Sequence, residues 1–316
     1  MLHACSSGLF YWICGGTHMT RRILFAIFLF LMARLLPGQE CTSTILVSFY
    51  DQLTTAEIET LKAEDIDVRL GGASLPVLSA SRDFHNRLLI LVEMDGAAKN
   101  EKTENVVETV TQQARTASEG KPVAFGIYSE KALFTKDFEP DPEKRAKAVN
   151  AVIEEQGSLG KRVALWDALH QALAMFGPHQ PGDTILLIGE PYDDSSHHSA
   201  GDIEKEFAAR GTRLFIMRRA HASRVERDFM WSSHELEKAT LERLTQETGG
   251  LISEYVPSLI RFAWAGYFLE VKLPPGMNKP KKWKIKFRGN AAVAHHKTNF
   301  YYPALLQPCR TTSAAR

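Results

Sequence analysis

Three acidic residues stand where a chain can do chemistry with them. Glu93 and Asp95 follow the apolar run Leu88-Leu89-Ile90-Leu91-Val92, and Glu190 follows Thr184-Ile185-Leu186-Leu187-Ile188-Gly189. Acidic groups at the carboxyl ends of parallel strands occupy the crevice where open α/β sheets hold ligands. Carboxylate oxygens suit hard divalent cations such as Mg2+ or Ca2+. A second group, His197-His198 with Asp193-Asp194, has the residue types of a transition-metal cluster. It is set among Ser195, Ser196 and Ser199, however, and reads as a solvated polar loop; His295-His296 reads the same way. No phosphate-binding Walker loop, Gly-x-Gly-x-x-Gly fingerprint, His-Glu-x-x-His helix or Gly-x-Ser-x-Gly elbow is present. The run Lys279 to Arg288 could attract phospholipid or nucleic acid. The reading adopted is that its lysines protect a sheet edge.

The elements that must position these groups are legible. Residues 88–92, 123–128, 184–188 and 213–217 are short apolar runs and are predicted to form strands of one central sheet. Between them, residues 103–118, 141–156, 164–176, 202–210 and 234–248 are predicted helices. Pro142 falls in a first turn, and Gly177-Pro178, Gly211 and Gly249-Gly250 act as stops. Strands alternating with helices over residues 87–250 imply an α/β, Rossmann-like, doubly wound and mostly parallel sheet. Small β segments flank it. Thr44 to Tyr50 reads as a strand, Ile66 to Leu70 and Leu75 to Ala80 flank a Gly71-Gly72 turn, Tyr267 to Leu273 is a strand, and Lys282 to Arg288 alternates with a period of two.

The chain has 316 residues, 44% of them apolar and 24% charged, and a net charge of +1. That is ordinary globular usage, and no global field for nucleic acid is expected. Residues 1–39 read as a secretory signal with an upstream extension: Arg21-Arg22 precede the apolar run Ile23 to Met32, and Met19 is the natural start. A retained signal anchor and a lipid anchor on Cys41 are the alternatives. Cleavage near Gln39 leaves Cys41 and Cys309, which can pair in an oxidising compartment or stay free. The predicted organisation is therefore a signal over 1–39, a small β module over 41–84, the α/β domain over 85–255 and a β extension over 256–316.

The trio Leu88 to Ala97, Lys161 to Ala168 and Thr184 to Ser195 resembles the von Willebrand factor type A (VWA) domain. That family holds Mg2+ in an adhesion site built from an Asp-x-Ser-x-Ser loop, a Thr from a second loop and an Asp from a third. Here the first loop reads Glu93-Met94-Asp95-Gly96-Ala97, Val163 takes the place of the Thr, and Glu190 stands in the third loop. The resemblance extends to a VWA-related family typical of Acidobacteria, through Leu53-Thr54 to Gly71-Gly72, Leu244 to Gly250, and Gly266-Tyr267 to Pro303. It implies that Glu93, Asp95 and Glu190 converge at the strand ends. It also implies a degenerate metal site, because Ala97 and Val163 stand where hydroxyl ligands belong. Lys161 or Arg162 is then expected to neutralise the acids. The alternative is an aberrant, weak Mg2+ or Ca2+ site on Glu93, Asp95 and Glu190.

The function this implies is non-enzymatic protein–protein binding at the cell envelope, extracytoplasmic, with Glu93, Asp95, Lys161, Arg162 and Glu190 as the binding face. No cofactor and no nucleic acid are expected, the protein partner is unknown, and membrane association is expected only through an uncleaved signal anchor. The rival readings are a metal-assisted hydrolase on the same face and a structural relic of the family without ligand chemistry.

Overall fold

The computed structural model describes residues 41–50, 62–82, 86–94, 108, 110, 112, 120–178, 180–218, 235–253, 256–264, 266–288 and 299–308. By contacts the chain divides into residues 1–41 and residues 42–316. The first unit is described only at Cys41, which is disulfide-bonded; its partner lies outside the described residues, as does Cys309. The signal segment and most of the helix predicted over 103–118 also lie outside them. No described helix is long and apolar enough to cross a membrane.

In chain order the second unit runs β1 (Thr42–Tyr50), β2 (Ile66–Leu70), β3 (Ala73–Leu75), β4 (Val77–Ser81), β5 (Leu88–Glu93), β6 (Val123–Tyr128) and β7 (Ala132–Phe134). Then follow α1 (Pro142–Glu154), α2 (Leu165–Met175), β8 (Thr184–Gly189), α3 (Ala200–Arg210), β9 (Arg213–Arg218), α4 (Glu235–Thr248) and β10 (Ile252–Ser253). The remainder is α5 (Val256–Trp264), β11 (Tyr267–Lys272), β12 (Lys281–Phe287), β13 (Asn299–Tyr301) and β14 (Leu305–Leu306).

The central sheet has the order β10-β9-β8-β5-β6-β7. All its pairings are parallel except that of the edge strand β7. This is the doubly wound α/β architecture, and the strand order reverses between β5 and β8. Every residue of β5, β6 and β8 is buried, because helices cover both faces. On one face Leu88, Ile90, Val92, Phe125, Leu186 and Phe215 pack with Val149 and Val152 of α1 and with Leu259, Ile260 and Ala263 of α5. On the other, Leu89, Leu91, Ile185, Leu187 and Leu214 pack with α2, α3 and α4. Local chemistry sets the helix ends. Asp141 accepts the amides of Glu143 and Lys144 at 2.9 and 3.0 Å with Pro142 behind it, and Gly211 closes α3 at φ 66°.

The flanking strands form two antiparallel sheets, β13-β1-β11-β4 and β14-β12-β2-β3. Both mix strands from before and after the α/β region: β1 pairs with β11 and β13, and β2 with β12. The Gly71-Gly72 turn joins β2 to β3, with φ of 58° and 90° that an L side chain rarely adopts. The strand predicted over 75–80 is divided. Pro76 has no amide to continue a ladder, so Leu75 ends β3 in one sheet and Val77 starts β4 in the other. The extension expected over 256–316 is not β throughout, since Val256–Trp264 is helical. Its apolar residues Leu259, Ile260 and Ala263 follow a helical spacing, but nine residues are too few for the period to stand out.

Candidate functional site

Glu93 ends β5 and Glu190 follows β8, so the order reversal brings them together. The Glu190 amide donates to Glu93 Oε2 at 2.6 Å, and both residues are buried. The Glu93 carboxylate therefore meets the backbone of Glu190; Asp95 and Ala97 lie outside the described residues. Gly189 makes the arrangement possible. A Cβ there would stand 2.6 Å from Glu93 Oε2 and 3.0 Å from the Tyr128 hydroxyl, so the Glu93 side chain occupies the space a larger residue would fill. From β6, the Tyr128 carbonyl accepts the Met94 amide at 2.7 Å, which fixes the chain as it leaves β5.

The second loop approaches the same strand ends. Val163 is buried, and its backbone is engaged on both sides. Its amide donates to Asp194 Oδ1 at 2.7 Å, and its carbonyl accepts the amides of Asp194 and Ser195 at 2.9 and 3.2 Å. Ala164 carries no capping oxygen for α2, so the loop after β8 supplies one. Asp193 Oδ1 accepts the Leu165 amide at 2.8 Å, and Ser196 Oγ accepts those of Trp166 and Asp167 at 3.0 and 3.1 Å. This satisfies the first amides of a buried helix, which otherwise lack partners. Asp167 in turn accepts the His197 and His198 amides and both imidazole Nδ1 atoms, at 2.7–3.0 Å. His198 stacks on His170 with ring centres 4.0 Å apart, and His170 Nδ1 meets Glu206 at 2.7 Å.

These contacts correct one expectation. The segment Asp193 to His198 is not a freely solvated loop but the cap of α2. The sequence hides this because the donors and acceptors are 28 to 31 residues apart. Among the described residues, neither Lys161 nor Arg162 forms an ion pair with Glu93 or Glu190. Both are exposed, and Arg162 pairs with Glu130 at 3.1 Å in the turn after β6.

Electrostatics follow the hydrogen bonds. Burial raises the Asp193 carboxyl above its ordinary value, against the bonds from Ser196 and Leu165. Burial also opposes ionisation of Asp167. The amides and imidazoles of His197 and His198 outweigh it and hold that carboxyl well below the usual 3.8. A depressed carboxyl stabilises the fold above its unfolded value and stops doing so as pH falls through the folded one. The contribution of Asp167 is thus present above about pH 4 and fades below it. Urea unfolding at pH 6 is expected to separate the wild type from Asp167→Ala, with the gap clearly narrowed at pH 2. A gap that is unchanged at pH 2 contradicts this assignment.

The described donors fit a hard cation poorly. Val163 offers only a carbonyl already bonded twice, and Glu93 accepts the Glu190 amide. Among the described residues no group of three His, Cys, Asp or Glu side chains stands in a metal-holding arrangement.

No family profile and no curated protein matches the chain. Solved structures do. The conserved hypothetical protein BatB of Bacteroides thetaiotaomicron is 12% identical, over 56% of this chain and 96% of its own, with a TM-score of 0.40. An aerotolerance-related membrane protein of Bacteroides fragilis is 12% identical, over 56% and 98%, with a TM-score of 0.42. A von Willebrand factor type A protein of Catenulispora acidiphila is 10% identical, over 71% and 48%, with a TM-score of 0.39. The fold assignment rests on the strand order and pairing described above, not on these scores.

Proposed function

We propose that the protein is an exported, non-enzymatic member of the VWA group that binds another protein of the cell envelope through its strand-end face, without a bound metal. The observation that carries this reading is the closed pair of Glu93 and the Glu190 amide at the order reversal. The position where open α/β sheets hold ligands keeps its acids but turns one inward against the backbone. What the face presents outward is exposed charge: Lys161, Arg162 and Asp194 are all exposed, and Asp194 is bound to the amide of Val163, the residue after Arg162. A protein surface bearing acids and hydrogen-bond acceptors complements such a rim.

The test is capture of envelope proteins on the immobilised chain, with Lys161→Glu/Arg162→Glu as the comparison. The Arg162–Glu130 pair is exposed and contributes at most about 1 kcal/mol, so the variant folds. A specific partner retained by the wild type, and reduced at least about tenfold by the variant, is expected. Equal capture by both, or none by either, contradicts the reading and leaves the structural relic as the better account.

A further inference from the structure

The outer face of the sheet β14-β12-β2-β3 is a basic plane. Residues directly opposite one another on antiparallel strands carry their side chains on the same face. Lys284 lies opposite Arg69, Lys286 opposite Asp67, and Arg69 opposite Ser74. By the period of two, Lys282 joins the same face, while Trp283 and Ile285 point the other way and are buried with Val68 and Leu70. Arg288 completes the plane through bonds from its Nη2 to Asp67 Oδ1 at 2.9 Å and Ser74 Oγ at 3.0 Å.

Asp67, the acid on this face, is fully engaged. It accepts Arg69 Nε at 2.6 Å and Ser74 Oγ at 2.7 Å in addition to Arg288. These bonds, that from Arg288 first, hold its carboxyl well below the ordinary carboxylate value. Lys282, Lys284 and Lys286 are exposed and have no ion-pair partner among the described residues.

Edge protection accounts for only part of this, at the side of β12 that β14 leaves open beyond Lys282 among the described residues. β2 runs beside β12 from Trp283 to Phe287, and β14 pairs with it at Lys281 and Lys282. One inward charge or one lysine is enough to blunt an edge. A file of three lysines, joined by an arginine of the neighbouring strand, makes a field over the sheet's face.

We propose that this plane docks onto an anionic phospholipid surface. The charge complements such a surface, and alternate lysines on an extended strand stand about 6.6–6.8 Å apart in a nearly flat array. Strongly hydrated lysine ammonium groups attract a headgroup layer without needing bidentate geometry. Single-stranded nucleic-acid sites instead interleave cations with stacking aromatics, whereas Trp283, the aromatic flanked by these lysines, is buried beneath the plane.

Sedimentation of the full chain with vesicles tests this, using phosphatidylcholine alone and phosphatidylcholine mixed with phosphatidylglycerol. The protein is expected to pellet with the anionic vesicles at 0.1 M salt, and to be released from them at about 0.5 M as screening shortens the field. Lys282→Glu/Lys284→Glu/Lys286→Glu is expected to lower the partition into anionic vesicles at least about tenfold. Lys282→Gln/Lys284→Gln/Lys286→Gln, which places no acid beside Asp67, should lower it less but in the same direction. Equal binding to both vesicle types, binding unchanged in both variants, or retention by duplex DNA or RNA in place of vesicles overturns the proposal.

Discussion

Replacing Asp183 with alanine is expected to destabilise the fold by about 3–5 kcal/mol. Asp183 is fully buried at the end of the sheet opposite the candidate site, just before β8. It accepts Arg87 Nε at 2.9 Å and Nη2 at 2.7 Å, and it also accepts the Gln180 amide at 3.0 Å. The Arg87 guanidinium is flanked by the rings of Phe138 and Phe176, each centred 5.3 Å away. Removing the carboxylate leaves this cation between two aromatic rings with, among the described residues, only the Pro178 carbonyl at 2.9 Å. Most of the cost is that uncompensated charge, so Asp183→Ala/Arg87→Met should recover a large part of the loss. Urea unfolding of the two variants checks both statements. A single-variant loss below about 1 kcal/mol, in the range of an exposed pair, contradicts the account.

Gly250→Ala is expected to cost more than about 3 kcal/mol, because overpacking here meets backbone rather than a side chain that can rotate away. A Cβ at position 250 would stand 1.7 Å from the Leu214 carbonyl oxygen. Leu214 belongs to β9, inside the central sheet, and cannot retreat without breaking its pairing with β8. The chain leaving α4 must move instead, which detaches β10 from Ile216 and Met217. Gly276→Ala is the control. Its φ of 75° is as strained as that of Gly249, yet no atom lies within 4 Å of the added carbon, so its cost should stay near 1–2 kcal/mol. Thermal unfolding should rank the two variants clearly. A Gly250→Ala protein as stable as Gly276→Ala contradicts the close approach.

The central sheet is legible in the sequence because strands buried on both faces read as unbroken apolar runs. Leu88–Glu93, Val123–Tyr128 and Thr184–Gly189 are buried at every position. What escapes sequence reading is short or set from a distance. β7, β10, β13 and β14 have two or three residues each, too few for any period, and pairing with longer strands defines them. The candidate site divides in the same way. The meeting of Glu93 with the Glu190 backbone follows from strand order, which the resemblance to the VWA domain implies. The partner of Arg162 does not, because Glu130 lies in an exposed turn with no pattern of its own. The capping of α2 by Asp193 and Ser196 also escapes, since Ala164 gives no hint that its missing oxygen comes from another loop.

The central claim is that the strand-end acids form a closed, metal-free face, and titration calorimetry of the chain with Mg2+, Mn2+ and Ca2+ at physiological ionic strength tests it most directly. The account predicts no saturable binding in the micromolar range for any of the three, in the wild type or in Glu93→Ala. Micromolar binding by the wild type that disappears in Glu93→Ala would contradict it and restore a cation-dependent adhesion site.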